Sequence, residues 1–598
     1  MLSSIQVFPQ ATRSRRPGSA ASVGVACRVG GWSRLWWFIF SMVTLPVLGW
    51  AASPPVAETN VFESPAALKP ESQIDKLVFG RLEQLRLPAP RLCSDAVFVR
   101  RAYLDVIGTL PTAKEARQFI QNENPDKRSA LIDQLLERDE FVTYWAMKWS
   151  DVLRVKAEFP VNLWPNGAQA YHRWIVASLA ANKPYDQFAR ELLTSSGSNF
   201  RVGPVNFYRA IQNRTPEGIA SAVALTFMGA RTEAWPGERL AGMKEFFSQV
   251  GYKPTGEWKE EHVFWDPLGT STLPGNIAPG KAAVAAVGAA TTNAIPTASP
   301  VWTNPAPRIA TFPDDAKIEL PSDRDPREIF ANWLITPQNP WFTRSIANRI
   351  WSWLLGRGIV HEPDDIRDDN PPVNPELLAY LENELIAGHY DLKRFYRLIL
   401  NSATYQSSAL ARSNSPLAEA NFASYPLRRL DAEVLIDAIN QITGTTDLYT
   451  SPIPEPFTYI PEDMPAIGIA DGSITSPFLA LFGRSARATG MENERDNDFV
   501  PAQWLHLLNS SHIQRKLEQG TRLQEIFNAR RPQQETIEVL YLTILSRFPT
   551  AAEVENARAY CAPAAEGKSA KANSQARREG LVDIAWSLIN STEFLFRH

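Results

Sequence analysis

Cysteine is nearly absent: Cys27, Cys93 and Cys561 are the only three in 598 residues. No Cys-x-x-Cys-His segment occurs, which excludes covalent c-type haem on the ordinary rule. Histidine is almost as scarce, with seven residues. His506 and His512 lie six apart, His172 and His262 are isolated, and no His-x-x-x-His pair or Cys/His cluster exists. A zinc site built from neighbouring ligands is therefore not expected. The nucleophile elbow, the phosphate-cradling loop and the dinucleotide fingerprint are also missing. Positive charge is not in excess, with 61 Lys and Arg against 64 Asp and Glu, so no electrostatic footprint for nucleic acid is present.

Long apolar runs are missing too, with one exception near the start. Residues 1–51 contain no Asp, Glu or Lys and hold Arg13, Arg15, Arg16, Arg28 and Arg34. The apolar run from Leu35 to Trp50 follows, then Ala51 and Ala52. Basic, apolar, then small is the order of a secretory signal peptide, with cleavage expected after Ala51. An uncleaved anchor is the rival and the only expected route to a membrane. Removing the five arginines moves the formal net charge from −3 to −8 (56 Lys and Arg against 64 Asp and Glu). The expected product is a mildly acidic exported protein in the periplasm, at the cell surface or secreted. Its two remaining cysteines either pair or stay as buried thiols.

What is present is helical patterning. The chain divides into a tether at 52–68, a helical module at 69–265, a Pro/Gly/Ala-rich linker at 266–322 and a second helical module at 323–598. The fold class expected is mainly α, with minor short strands near 200–208 and 255–266. Ser72 is placed to cap a helix, and Asn374-Pro375 reads as an N-cap and first-turn proline. One unit occurs twice at an offset of 438 residues: Tyr103 to Glu115 is echoed by Tyr541 to Glu553. Each copy reads as a helix, an apolar-Pro corner and a second helix opening Thr-x-x-Glu, a capping box. A Glu-Phe pair, Glu140-Phe141 or Glu593-Phe594, belongs to each.

Three polar constellations are candidates for chemistry. The loop from Gly356 to Pro372 carries His361, Asp364, Asp365, Asp368 and Asp369. Its carboxylates either hold a divalent cation or share acid and base roles, with Asp364, Asp365 and Arg349 as the weak catalytic candidates. Alternatively they cap helices and pair with Arg349, Arg357 or Arg367. Asn348, Arg429, Asp431, Glu494 and Arg495 are weak ligand-binding candidates. They come from the arginine–carboxylate segments at 427–433 and 490–496, which either interlock helices or line a pocket for an anionic substrate. Tryptophans such as Trp145, Trp149, Trp351 and Trp353 suit core packing better than sugar stacking.

Longer motifs carry a resemblance. They include VRRAYLDVIGTLPTAKEA from Val99, ANKPYDQFARELL from Ala181, PDDIRDDNPPVNPELLAYL from Pro363 and YPLRRLDAEVLIDAI from Tyr425. Together they resemble the paired domains of unknown function 1549 and 1553, associated with planctomycete-type cytochrome c proteins. The resemblance implies export, a largely helical architecture and often an added cytochrome-like module, which this chain lacks. It also implies, in many members, a Cys-x-x-Cys-His segment after a Phe-x-Gly helix and a Cys-x-Cys-Glu-Arg segment in the second module. Here those positions read Phe227-Met228-Gly229-Ala230-Arg231-Thr232-Glu233 and Gly490-Met491-Glu492-Asn493-Glu494-Arg495, with no cysteine. Joint loss is what one shared metal or redox site would leave behind. The expectation is an exported envelope protein that binds a ligand, a protein partner or a polysaccharide, with no haem. The alternative is a hydrolase or lyase acting on an anionic polymer or polysaccharide, with a divalent cation as its optional cofactor.

Overall fold

Ser72 opens the first helix, Gln73–Gln84, with a complete capping box: its hydroxyl takes the Asp75 N–H, and the Asp75 carboxylate takes its own N–H. The computed structural model describes residues 60–271, 308–562 and 570–598. The expected signal peptide, residues 52–59 of the tether and the middle of the linker lie outside the described residues. Among those described, no helix is long and apolar enough to cross a membrane.

The fold is mainly helical, and its centre is aromatic. Helix Asp139–Val152 places Trp145 and Trp149 one turn apart, both buried. Their rings meet Trp353, from helix Phe342–Leu355, at 5.5 and 5.7 Å, and Trp145 meets Tyr396 at 4.3 Å. Tilted and edge-on rings at these separations add to the burial of their large apolar areas. The two sequence modules thereby share one core.

The echoed units take the same form. Helices Asp95–Val106 and Ala113–Gln121 correspond to Gln533–Ile544 and Ala551–Tyr560, each first residue shifted by the same 438 positions. Thr112 and Thr550 both close capping boxes, with Glu115 and Glu553 returning to the cap N–H at 2.8 and 2.7 Å. One arginine then grips each unit. Arg138 bridges Glu115 and Glu140, and Arg547 bridges Glu553 and Glu593. The two units touch directly: Arg117 pairs with Glu538 at 2.5 Å, and Arg100 donates to the Ile544 carbonyl.

Strands are few. β1 (Gly197–Ser198), β2 (Val250–Pro254) and β3 (Glu261–Trp265) form an antiparallel sheet in the order β1-β3-β2. The strand expected near 200–208 is instead a 3-10 turn, Gly203–Val205, running into the helical turn Asn206–Arg209. The Asn206 amide draws the Asn199 and Gly203 carbonyls together at 2.7 and 3.0 Å, which winds the backbone. The stretch expected to be a linker contains a hairpin, β4 (Arg308–Thr311) and β5 (Lys317–Leu320). Buried Phe312 in its turn stacks on Phe246 and Trp333 at 4.6 and 5.0 Å. A four-residue strand leaves little trace in a window dominated by Pro, Gly and Ala. β6 (Arg428–Arg429) pairs with β7 (Phe596–Arg597). Cys93 and Cys561 are both buried and free.

Candidate functional site

Helix Asp139–Val152 turns its polar side toward the second module, where charge is buried on a large scale. The Arg495 guanidinium lies 2.6 Å from Asp151 and 2.6 Å from Glu433. Arg487 also reaches Asp151, and Arg484 also reaches Glu433. Asp431 receives Lys148 and Arg597 at 3.0 Å each. Arg597 and Arg428 continue the chain to Asp105, which accepts from the Tyr405 and Tyr425 hydroxyls. Burial alone would raise these carboxyls. Lys148, Arg597 and Arg495 instead hold Asp431 well below the usual carboxylate range, and Arg495 and Arg487 depress Asp151. Every anion has at least one cation, so this network fastens elements together.

The sequence candidates fall into this framework. Asp364 is fully buried against Arg349, and its second oxygen takes the Glu492 N–H at 2.6 Å. Asp365 faces outward to Arg367 at 3.3 Å. Asn348 clamps both backbone groups of Val360 at 2.9 Å. Arg429 donates to the carbonyls of Phe482, Asp496 and Asn497. Glu494 accepts the Ala488 and Thr489 N–H groups. Asp431 and Arg495 belong to the buried network. None of the eight lines either cavity described below. Their shared property is pairing. Asp364, Asp431 and Glu494 each already accept from a cation or a backbone N–H. Among the described residues no three His, Cys, Asp or Glu side chains converge as a metal-binding group. His506 and His512 do meet at 3.3 Å, and His512 also reaches Asp447 at 2.9 Å.

The acidic loop does have a role, as a strut. Its Ile366 N–H donates to the Gly229 carbonyl at 2.8 Å, and Glu362 pairs with Arg231 at 2.9 Å. Through Asp364 it also fixes Glu492. One loop thus positions both segments, 227–233 and 490–495. Helix Pro216–Val223 widens into a π turn, Ala224–Met228, and stops at left-handed Gly229. Turns of this kind cluster at functional sites. Gly490 is also left-handed (φ 78°), and a Cβ there would lie 2.9 Å from an Arg154 nitrogen.

Between the two segments lies a cavity of about 570 Å³, walled by Ala230, Arg231, Thr232 and Glu233 on one side and Ala488, Thr489 and Met491 on the other. Arg154 lies in its lining, only 4% exposed. Its Nη1 donates to the Thr489 carbonyl at 3.3 Å, while Nε and Nη2 have no partner. No carboxylate pairs with it among the described residues. Burial lowers its pKa, which marks a desolvated cation. Of the other charges here, Arg231 is paired with Glu362, Glu217 with Lys244, and Glu233 sits at the exposed rim. No motif pointed to Arg154. The available signal was the pair of altered segments that surround it.

Residues 73–233 match the family model described as a protein of unknown function, DUF1549 (PSCyt2). Residues 326–561 match a second, also a protein of unknown function, DUF1553 (PSD1). The chain belongs to the family that pairs these two domains. No curated protein and no solved structure matches it. Each wall of the cavity comes from one of the paired domains. The residues in both walls offer guanidinium, hydroxyl, carboxylate and thioether groups but no thiolate or imidazole. They do not fit a haem or thiolate-bound metal of the kind the resemblance implies.

Proposed function

We infer that this paired-domain protein is an exported, envelope-associated binding protein, and that it takes an anionic group into the cavity between its two domains. Arg154 carries the reading. Keeping a guanidinium desolvated with only Glu494 acting on it at a distance is costly, and an anion entering beside it would supply further negative charge. The surrounding hydroxyl and amide groups of Thr232, Asn213 and Gln212 suit carboxylate or sulfate recognition. Arg349, Asp364 and the paired carboxylates serve this site as framework, holding its two walls in register. Export is supported by the order of basic, apolar and small residues at 1–51.

Calorimetric titration of the purified protein with galacturonic acid, against glucose as the uncharged control, tests the binding. The expected result is saturable binding of the acid alone, lost in Arg154→Met. Equal heats in the wild type and the variant would reject the site. N-terminal sequencing of the protein recovered outside the cytoplasm tests export, with a start at Ala52 expected.

A further inference from the structure

The anion cavity does not stand alone. Ile211 and Gln212 line both it and a second cavity of about 640 Å³, so the two adjoin across one dipeptide. Each is within the size range that encloses a drug-sized ligand. The second cavity is bounded by the β2–β3 turn, which carries Trp258. That indole is 71% exposed, whereas Trp145, Trp149 and Trp351 are buried in the core. Pro160, which lines the same cavity, follows Phe159, itself 78% exposed.

The floor is polar and balanced in charge. Arg209 and Arg214 share the single carboxylate Glu261, at 2.5 and 3.3 Å, and the buried Arg209 Nε has no partner. Glu260 is held by the Ser198 and Thr255 hydroxyls, and Glu257 and Lys259 flank Trp258. Donors and acceptors therefore alternate beneath an aromatic platform. Such a floor gains little from a chain of negative charges. It suits the neutral hydroxyls of a pyranose chair, whose C–H face can rest on the indole.

We propose that the two cavities form one groove for an acidic glycan, with its acid group at Arg154 and its following sugar rings over Ile211-Gln212 and against Trp258. This rests on the anion-binding reading above and extends it to a ligand class. The acid is a uronate carboxylate or a sulfate ester, which share the chemistry Arg154 recognises.

Titration of the full chain with oligosaccharides that carry one terminal galacturonate and an increasing number of neutral rings tests the groove. Affinity is expected to rise about thirtyfold or more from monomer to octamer, as successive rings add contacts. Trp258→Ala should lower octamer affinity about tenfold and leave galacturonic acid unchanged, while Trp258→Phe retains most of the gain. Sulfated oligosaccharides binding more tightly than galacturonates of equal length would assign the acid as a sulfate ester; the reverse order would assign a uronate. Octamer binding no tighter than monomer, or insensitive to Trp258→Ala, would overturn the groove while the anion cavity stood. Polyglutamate binding as tightly as the octamer would overturn the glycan assignment. Length-dependent binding unaffected by Arg154→Met would instead reject the anion cavity and leave the groove.

Discussion

Arg154 and Arg495 show what a buried guanidinium does with and without partners. Arg495 bridges Asp151 and Glu433, and Arg495→Met removes one of the two arginines from each, leaving Arg487 and Arg484. We predict a loss of about 1–3 kcal/mol in chemical denaturation, since neither carboxylate is left unpaired. Arg154 makes no direct ion pair, and Arg154→Met should leave stability nearly unchanged while abolishing ligand binding. Asp437 supplies a pH dependence of the opposite sense to most carboxylates. Burial pushes its pKa up to about 7, against the hydrogen bonds it accepts from Ala466 and Ile467. The folded protein therefore holds this proton more tightly than the unfolded chain does. Its stabilising contribution is complete below about pH 4, the ordinary carboxylate range, and is lost as pH rises through 7. Asp151, Glu433 and Asp431 behave conversely, stabilising above the ordinary range and losing that contribution on acidification. Burial lowers the pKa of His172 to about 4 and that of His598 to about 3, and these groups stabilise as pH rises. Asp437 is therefore read as a difference: from pH 5 to 8 the stability of the wild type relative to Asp437→Asn should fall with pH.

Among elements, the echoed helix pair was legible because a capping box and an apolar-Pro corner are local and leave a fixed spacing. The arginine that grips each copy was not legible, since Arg138 and Arg547 come from different places relative to their glutamates. They also differ in burial: the Arg547 side chain is 8% exposed and that of Arg138 29%. Arg547→Ala should therefore destabilise more than Arg138→Ala in urea titrations, by about 1–3 kcal/mol. The acidic loop teaches a related lesson. Sequence identified its density of charge, and also the rival reading of helix caps and arginine pairs. Only contacts across 128 residues, such as Asp364 with the Glu492 N–H, reveal it as a strut for both cavity walls. The β4–β5 hairpin and Trp258 escaped for another reason. Their strands are too short for alternation to register, and exposure of one indole depends on tertiary placement.

At the scale of the molecule, the two family domains are joined by the tryptophan cluster and by ion pairs from Lys148 and Asp151 to the second domain. A boundary built this way should not open independently. We predict one cooperative thermal transition for residues 60–598, with equal calorimetric and van't Hoff enthalpies. The helical class could be read from periodicity and caps, and the paired family domains from the recurring motifs. The cavity could not, because its walls lie more than 250 residues apart in sequence, at Arg231 and Met491, and meet only on folding. The most direct measurement is titration of galacturonic acid into the wild type and Arg154→Met, alongside their unfolding curves. Saturable binding lost in a variant of undiminished stability is the predicted result. Binding that survives Arg154→Met unchanged would contradict the placement of an anion between the two domains.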